Sequence, residues 1–577
     1  MKTIRYFIIV VLFPLVVSCE EFIERPPLDQ ISTEEYWKTT NDLKNYVMQY
    51  YKELPGHGNF AGMIGEDSNS DNLIGGDGSL KPNEVMNGER TINTGVWSNE
   101  WSLIRSVNIF FDNYQKCEDP LDLYKHHLGE AYFFRASFYF HLLNRYGDLP
   151  WYSEPLYPDS EEKLMKPRDP RTLVVDSILA DLDHALFYLD ERELAMGANN
   201  SINKEAALAL KTRVALYEGT WQKYHAGTLF ETPGADPDTY FQACVDASEE
   251  LMNGEYSVGI YSTGNTDTDY YELFGINNMG SINEVLLYRA YNYEAAMGNN
   301  VQYYTISTPS KLGANWGLVS SYLDRSGAPY DYSGVADTAK GNAFLTRIAA
   351  DCDPRLKSTI WIPGDLQSAS QGTYFEYPAI DQAVQNICPT GFQVKKSSNP
   401  YEIEGVIPFG GASETGYIIF RYAEVLLNYA EAKYELDGTI AYEQLNLLRS
   451  RAGMPDFTVN PQSSDPNLED YGYAITDELY EIRRERRVEL ALEGKRADDY
   501  RRWAAHSLFQ GERPKGYPFD ATEFPDLNPS VDENGLLDYF VSQLPAGYQY
   551  REEQDYLNDI PQQELVLNEN LTQNPGW

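Results

Sequence analysis

The stretch FRYAEVLLNYAEAKYELDG, residues 420–438, decides the fold. From Phe420 to Leu436 the residues Ala423, Leu427, Ala430 and Tyr434 recur at helical spacing, and Gly438 stands just past the end, where a left-handed cap closes a helix. The same design recurs upstream. Leu128 to Tyr146 carries Leu128, Tyr132, Ala136, Tyr139 and Leu143 on one period and stops at Gly147-Asp148 before Pro150. Asn203 to Gly219 sets Ala207, Leu210, Val214 and Tyr217 on one stripe, with Gly219 read as the stop. Small alanines mixed with large aromatics let helices pack closely in pairs, as in tetratricopeptide-type arrays. The expected fold class is all-α: a tetratricopeptide-like scaffold of helical pairs.

Between these helices lie long segments rich in Gly, Asn, Ser, Pro and Tyr, notably 54–100, 254–335 and 360–416. Loops of this length in a folded body are functional or disordered. Disordered segments are poor in aromatics, and these are not, so ordered excursions from the scaffold are expected. Binding residues concentrate on such excursions.

The N-terminus carries a separate signal. Lys2 and Arg5 precede an apolar run, Phe7 to Val17. The run falls short of the ~20 residues needed to span a bilayer and suits the core of a signal peptide. It ends in Val16-Val17-Ser18-Cys19, which resembles a lipobox, with Cys19 as the acylated residue. The alternative is an ordinary signal peptide in which Cys19 is incidental. The expected organisation is a lipoprotein signal peptide (1–18), a lipid-anchored lead (19–40) and one globular body (41–577). That body divides into an N-terminal helical half (about 41–250) and a loop-rich, C-terminal helical half (about 251–577).

Lys and Arg total 46 against 87 Asp and Glu, a net charge of −41. A body this acidic repels phosphate backbones, so nucleic acid is excluded as a partner. Beyond Cys19, the cysteines Cys117, Cys244, Cys352 and Cys388 are scattered without CxxC spacing, which argues against zinc. Buried free thiols are expected, with disulfides left open. The seven histidines form no HExxH pair, and no GxSxG elbow is present. Gly56-His57-Gly58-Asn59-Phe60-Ala61 matches a dinucleotide fingerprint by letter but follows Pro55 and no strand pattern. Asp67-Ser68-Asn69-Ser70-Asp71 starts like a calcium loop and then fails, with Asn72 where glycine must turn and Gly78 where a bidentate glutamate must close the shell. No cofactor or metal is expected, with a structural calcium elsewhere in the loops left open. Paired carboxylates of a glycoside hydrolase are a spatial property that no segment singles out.

One charged segment stands apart: IRRERRVELALEGKR, residues 482–496, running on to Arg501-Arg502-Trp503. Read as one helix, it puts Ile482, Arg486, Glu489 and Glu493 on a face. Arg486 with Glu489, and Glu493 with Arg496, are then i, i+3 pairs of opposite sign. It is either an anion clamp or a salt-bridged structural helix, and pairing is the usual way such charges enter an interior.

Taken together, these segments resemble a known family. Arg421 to Ala432 (RYAEVLLNYAEA), Leu447 to Pro455 (LLRSRAGMP), the ERRVEL–EGKR–DDYRRW stretch and the terminal Gln573-Asn574-Pro575-Gly576-Trp577 are similar to motifs of the SusD/RagB family of Bacteroidetes lipoproteins. Tyr146-Gly147-Asp148-Leu149-Pro150 and Asp353-Pro354-Arg355-Leu356 also fit. The resemblance implies four tetratricopeptide-like helix pairs supporting a loop-rich half, and placement at the outer face of the outer membrane through the lipid. It also implies capture of oligosaccharides for a TonB-dependent transporter of the SusC type, without catalysis. A peptide ligand, a purely structural lid and, remotely, a glycoside hydrolase are the alternatives.

Sugar rings offer apolar C–H faces and a polar rim, so aromatic platforms with amide or carboxylate partners suit them. Tyrosine dominates the aromatics, 45 against 24 Phe and 9 Trp, which favours half-wet surfaces. The resemblance points to Trp97-Ser98-Asn99-Glu100-Trp101, to Tyr288–Tyr304 and to Asn315-Trp316. The expected platforms are Trp97, Trp101, Tyr291 and Trp316, with Asp67, Asn69 and Asn99 as polar partners. Packing under a loop is the alternative for each, above all for Trp101, which continues into a helix with Ile104, Arg105 and Asn108.

Overall fold

The computed structural model describes residues 36–58, 67–75, 80–92, 97–194, 200–402 and 411–577. The leader and Cys19 lie outside them. Trp37, within the stretch read as lead, is buried against Tyr46 and Phe110, with ring centroids at 4.6 and 6.2 Å.

The principal helices are α1 (Thr40–Met48), α2 (Ser98–Asn113), α3 (Leu121–Tyr146), α4 (Arg171–Tyr188), α5 (Lys204–Tyr224) and α6 (Pro237–Asn253). After a loop-rich middle come α7 (Gly341–Asp351), α8 (Pro354–Thr359), α9 (Tyr422–Asp437), α10 (Tyr442–Arg451), α11 (Asp477–Glu489), α12 (Arg496–Arg502) and α13 (Gln562–Leu567). Neighbours stack in succession: α2 on α3, α3 on α4, α4 on α5, α5 on α6. The chain then returns, so that α9 packs on both α5 and α6 and also touches α10 and α11. The expected all-α, tetratricopeptide-like class holds.

Helix ends follow local chemistry. Asn203 caps α5, its side chain accepting from the Ala206 amide at 2.8 Å. Gly438 ends α9 in the left-handed conformation, φ 76°. Gly219 does not stop α5 as expected but lies inside it. A Cβ there would come within 2.7 Å of the Phe241 ring, so the glycine is needed for the close approach of α6. Phe420 and Arg421 likewise leave the expected helix and end a strand, Tyr417–Arg421, paired antiparallel with Val285–Arg289.

The charged segment is two helices, not one. Leu492 (φ 62°) and Gly494 (φ 71°) turn the chain between α11 and α12, so Glu493 is not on the face of Arg486. The expected local pairs are replaced by long-range ones. Arg486 binds Asp499 at 2.9 Å and Asn428 at 2.8 Å, and Arg496 binds Asp71 at 2.7 Å. Glu489 accepts from Arg421 at 2.7 Å, Arg355 at 2.9 Å and Arg451. Burial alone would raise the Glu489 carboxyl, but these three guanidiniums hold it well below the usual carboxylate range. The arginines are consumed by protein carboxylates, the salt-bridged structural alternative.

The excursions are ordered through short pairings. Leu73–Ile74 pairs with Gly313–Ala314, and Leu366–Ser368 pairs with Thr373–Tyr374. Cys117, Cys244, Cys352 and Cys388 are free thiols, all but Cys117 fully buried. Among the described residues no group of three or more His, Cys, Asp or Glu side chains is placed to hold a metal ion.

Candidate functional site: an aromatic cleft at the start of α2

Trp97 immediately precedes α2, and Trp101, Ile104, Arg105 and Asn108 follow on the same side of the helix. This face forms one wall of a cleft of about 600 Å³. The opposite walls are the segment from Pro150 to Met165 and the C-terminal helix α13 with the residues after it.

The two indoles are set at 57° with centroids 5.4 Å apart. Trp97 is buried and meets the Tyr146 ring edge-on at 4.9 Å. Trp101 is half-buried, with Tyr139 and Tyr152 edge-on at 6.0 and 5.9 Å. Its indole N–H is buried without a protein acceptor. Buried Trp N–H groups ordinarily find a partner; this one is closed off from solvent and has none, so it is the ring, not the N–H, that Trp101 offers to the cleft.

The second wall is held by side chains beneath it. Asn108 donates to the carbonyls of Tyr152 at 2.9 Å and Glu154 at 3.2 Å, while its oxygen accepts from Arg135 at 3.0 Å. Arg135 is itself fixed by a bidentate pair with Asp181 at 2.7 and 2.6 Å. At the rim, Arg105 donates to the Leu156 carbonyl at 2.6 Å, and its guanidinium lies 5.2 Å above the Tyr157 ring. Asn568 ties the C-terminal wall to the carbonyls of Leu164 and Lys166 at 3.1 and 3.0 Å. The result is a pre-formed slot with aromatic walls, carbonyl oxygens and one carboxylate on each side, Glu154 and Glu564.

The structure brings Trp97 and Trp101 together and sets the other expected residues apart from this cleft. Asn99 is exposed on the first turn of α2 and does not line it. Tyr291 is half-buried and stacked on His57 at 6.0 Å, its hydroxyl donating to the His57 carbonyl at 3.4 Å. Trp316 is half-buried, stacks on Phe344 at 5.8 Å and lines a different cavity of about 440 Å³ beside Arg487. Asp67 is fully buried and accepts from Asn72 at 3.3 Å, with its other oxygen unpartnered. Burial pushes its carboxyl up to about 6. Asn69 lies in the same short turn, and its side chain falls outside the description.

Sequence reasoning did not single out Tyr152, Tyr157 or the C-terminal wall. Trp151-Tyr152 directly after Leu149-Pro150 was the available signal, since an aromatic pair after a helix stop is loop-borne. Nothing local marks α13 as its neighbour.

Comparison with known proteins agrees with this architecture. Residues 263–577 match the family model described as the SusD family, and residues 24–216 match one described as starch-binding associating with outer membrane. SusD-like protein P2 of Formosa agariphila is 24% identical over 601 residues, covering 100% of both chains. SusD-like protein P25 of the same organism is 24% identical over 520 residues, covering 84% of this chain and 87% of its own. A SusD-like carbohydrate binding protein from Bacteroides fragilis superposes with a TM-score of 0.72 at 22% identity, over 93% of this chain and 100% of its own. A laminarin binding SusD-like protein superposes with a TM-score of 0.53 at 19% identity, over 94% of this chain and 100% of its own. With a family model matching more than half of its length, the chain belongs to the SusD family.

Proposed function

We propose that this protein is a cell-surface lipoprotein, anchored through Cys19, that captures oligosaccharides in the Trp97–Trp101 cleft and passes them to a SusC-type TonB-dependent transporter of the outer membrane. The observation that carries the reading is the aromatic lining of the cleft: Trp97, Trp101, Tyr152 and Tyr157 line one slot together with the carboxylates of Glu154 and Glu564. Indole and phenol faces stack on sugar C–H surfaces, and carboxylates beside them accept from sugar hydroxyls. The carbohydrate-binding description of a structural relative and the starch-binding description of the matched N-terminal model support the ligand class. The outer-membrane wording of that model supports the location. The role proposed is binding without catalysis, which the carbohydrate-binding description of a structural relative supports.

Two measurements test the reading. Screening the purified full chain against a glycan panel should find a ligand whose binding needs Trp101. Expression of a tagged chain beside its partner transporter should co-purify the two from the outer membrane, with Cys19→Ser moving the chain out of the membrane fraction. Co-purification without binding to any glycan would favour a purely structural lid, and release of product from a glycan would favour a hydrolase.

A further inference from the structure

A second cleft, of about 540 Å³, opens in the loop-rich half between the Leu366–Tyr374 hairpin, the turn around Ser307 and the segment at Glu523. It shares no lining residue with the Trp101 cleft. Its floor is rigid. Phe375 is buried and stacks on the fully buried Trp361 at 5.9 Å, and the Trp361 N–H donates to the Thr305 carbonyl at 2.7 Å. Thr305 belongs to a π-helical turn, Tyr303–Ser307, a rare element that recurs at functional sites.

Above this floor stand two exposed tyrosines, Tyr374 and Tyr377, 57% and 49% accessible. Four primary amides, Gln367, Gln382, Asn386 and Gln393, line the same cleft; the Gln382 amide donates to Asp381 at 2.9 Å, and the buried Gln393 accepts from the Ala379 backbone N–H at 3.3 Å. Tyr377 is braced edge-on against Phe524 at 5.8 Å. Two polar atoms at the site are buried without a partner: the Ser307 hydroxyl and one carboxylate oxygen of Glu523. The other Glu523 oxygen accepts from the Asn342 amide at 2.8 Å. The charges are of one sign. Glu376, Asp381 and Glu523 line the cleft, and no lysine, arginine or histidine is among its described lining residues.

We infer that this cleft is a second, independent saccharide site, selective for neutral chains and closed to uronate or sulfated ones. Amides present paired donors and acceptors that match vicinal hydroxyls, and exposed tyrosine faces take the C–H side of a pyranose. Three carboxylates without a cation repel an anionic sugar and leave its charge unpaired. A basic peptide would be attracted by the same carboxylates and is therefore the competing ligand in the test; the amides, donors as well as acceptors, match hydroxyls better than ammonium groups, which can only donate.

The test is titration of the full chain with neutral gluco-, manno- and xylo-oligosaccharides, with hexagalacturonate, and with a Lys-Tyr-rich peptide. Parent, Tyr374→Ala/Tyr377→Ala and Trp101→Ala are compared, with thermal unfolding showing that each folds. The expected result is a neutral oligosaccharide whose binding the tyrosine pair supports, weakened about tenfold or more in the double variant and retained in Trp101→Ala. Hexagalacturonate should show no binding that depends on the pair. The inference is overturned if no neutral saccharide depends on Tyr374 and Tyr377, if hexagalacturonate depends on them as strongly, or if only the peptide does. Loss in Trp101→Ala with none in the double variant removes this site and leaves the first one standing.

Discussion

At Trp101 the indole is half-buried, packed among Trp97, Tyr139 and Tyr152, and its ring lines the α2 cleft. Trp101→Phe keeps a ring of smaller face. It should weaken glycan binding by about 1 kcal/mol, and Trp101→Ala by about 2 kcal/mol or more, read by calorimetry. Asp67 gives a residue-scale prediction about stability. Its folded carboxyl sits near 6, raised by burial from 3.8. The unfolded chain therefore ionises first as pH rises, and stability falls between about pH 4 and 6 by about 3 kcal/mol. Asp67→Asn should accordingly stabilise the protein above about pH 6 and do little below about pH 4. An equal effect of Asp67→Asn at pH 4 and pH 7 in denaturant unfolding would refute this. Neither feature is legible in the sequence. That Asp67 is buried and Trp101 half-open depends on what the rest of the fold lays over them.

At the scale of elements, helix periods were readable because they are local, and they located α3, α5 and α9, although α3 begins at Leu121 rather than Leu128 and α5 runs on to Tyr224. The end of α5 and the charged segment were misread for tertiary reasons. Gly219 mimics a helix stop, yet it serves the approach of Phe241 on α6. Gly219→Ala gains helix propensity, about 1 kcal/mol, but forces a methyl into a 2.7 Å gap. The expected net is a destabilisation of about 1–3 kcal/mol in chemical unfolding. A stabilised variant would show that α5 and α6 are not so closely packed. Likewise, the run from Arg483 to Arg496 reads as one amphipathic helix because the left-handed turn at Leu492 has no strong signature. Two of the partners of Glu489, Arg421 and Arg355, lie more than sixty residues away. Removing one member of this network strands a buried charge. Glu489→Gln should cost about 3–5 kcal/mol, whereas exchanging exposed pairs such as Lys163–Glu154 should cost under about 1 kcal/mol.

At the scale of the whole molecule, a helical array carries long ordered excursions, and clefts form where excursions meet helices. Fold and family were legible from motifs spread over the chain. The sites were legible in part. Trp97 and Trp101 are four apart on one helix face and meet in one cleft. Tyr291, Trp316 and Asp67 come from other excursions, whose meeting points no local pattern encodes. The acidic body also has a whole-molecule consequence. Burial raises the Glu431 carboxyl, but Arg502 and other guanidiniums hold it down to about 2. Its stabilising contribution is full above the unfolded value near 4.3 and is lost as pH falls toward 2, so acid unfolding is expected well below pH 4. The most direct test of the central claim is calorimetric titration of one glycan ligand into the parent, Trp101→Ala and Trp316→Ala. Capture in the α2 cleft predicts that Trp101→Ala loses about tenfold or more in affinity while Trp316→Ala binds like the parent. Loss in Trp316→Ala with Trp101→Ala unaffected would contradict it.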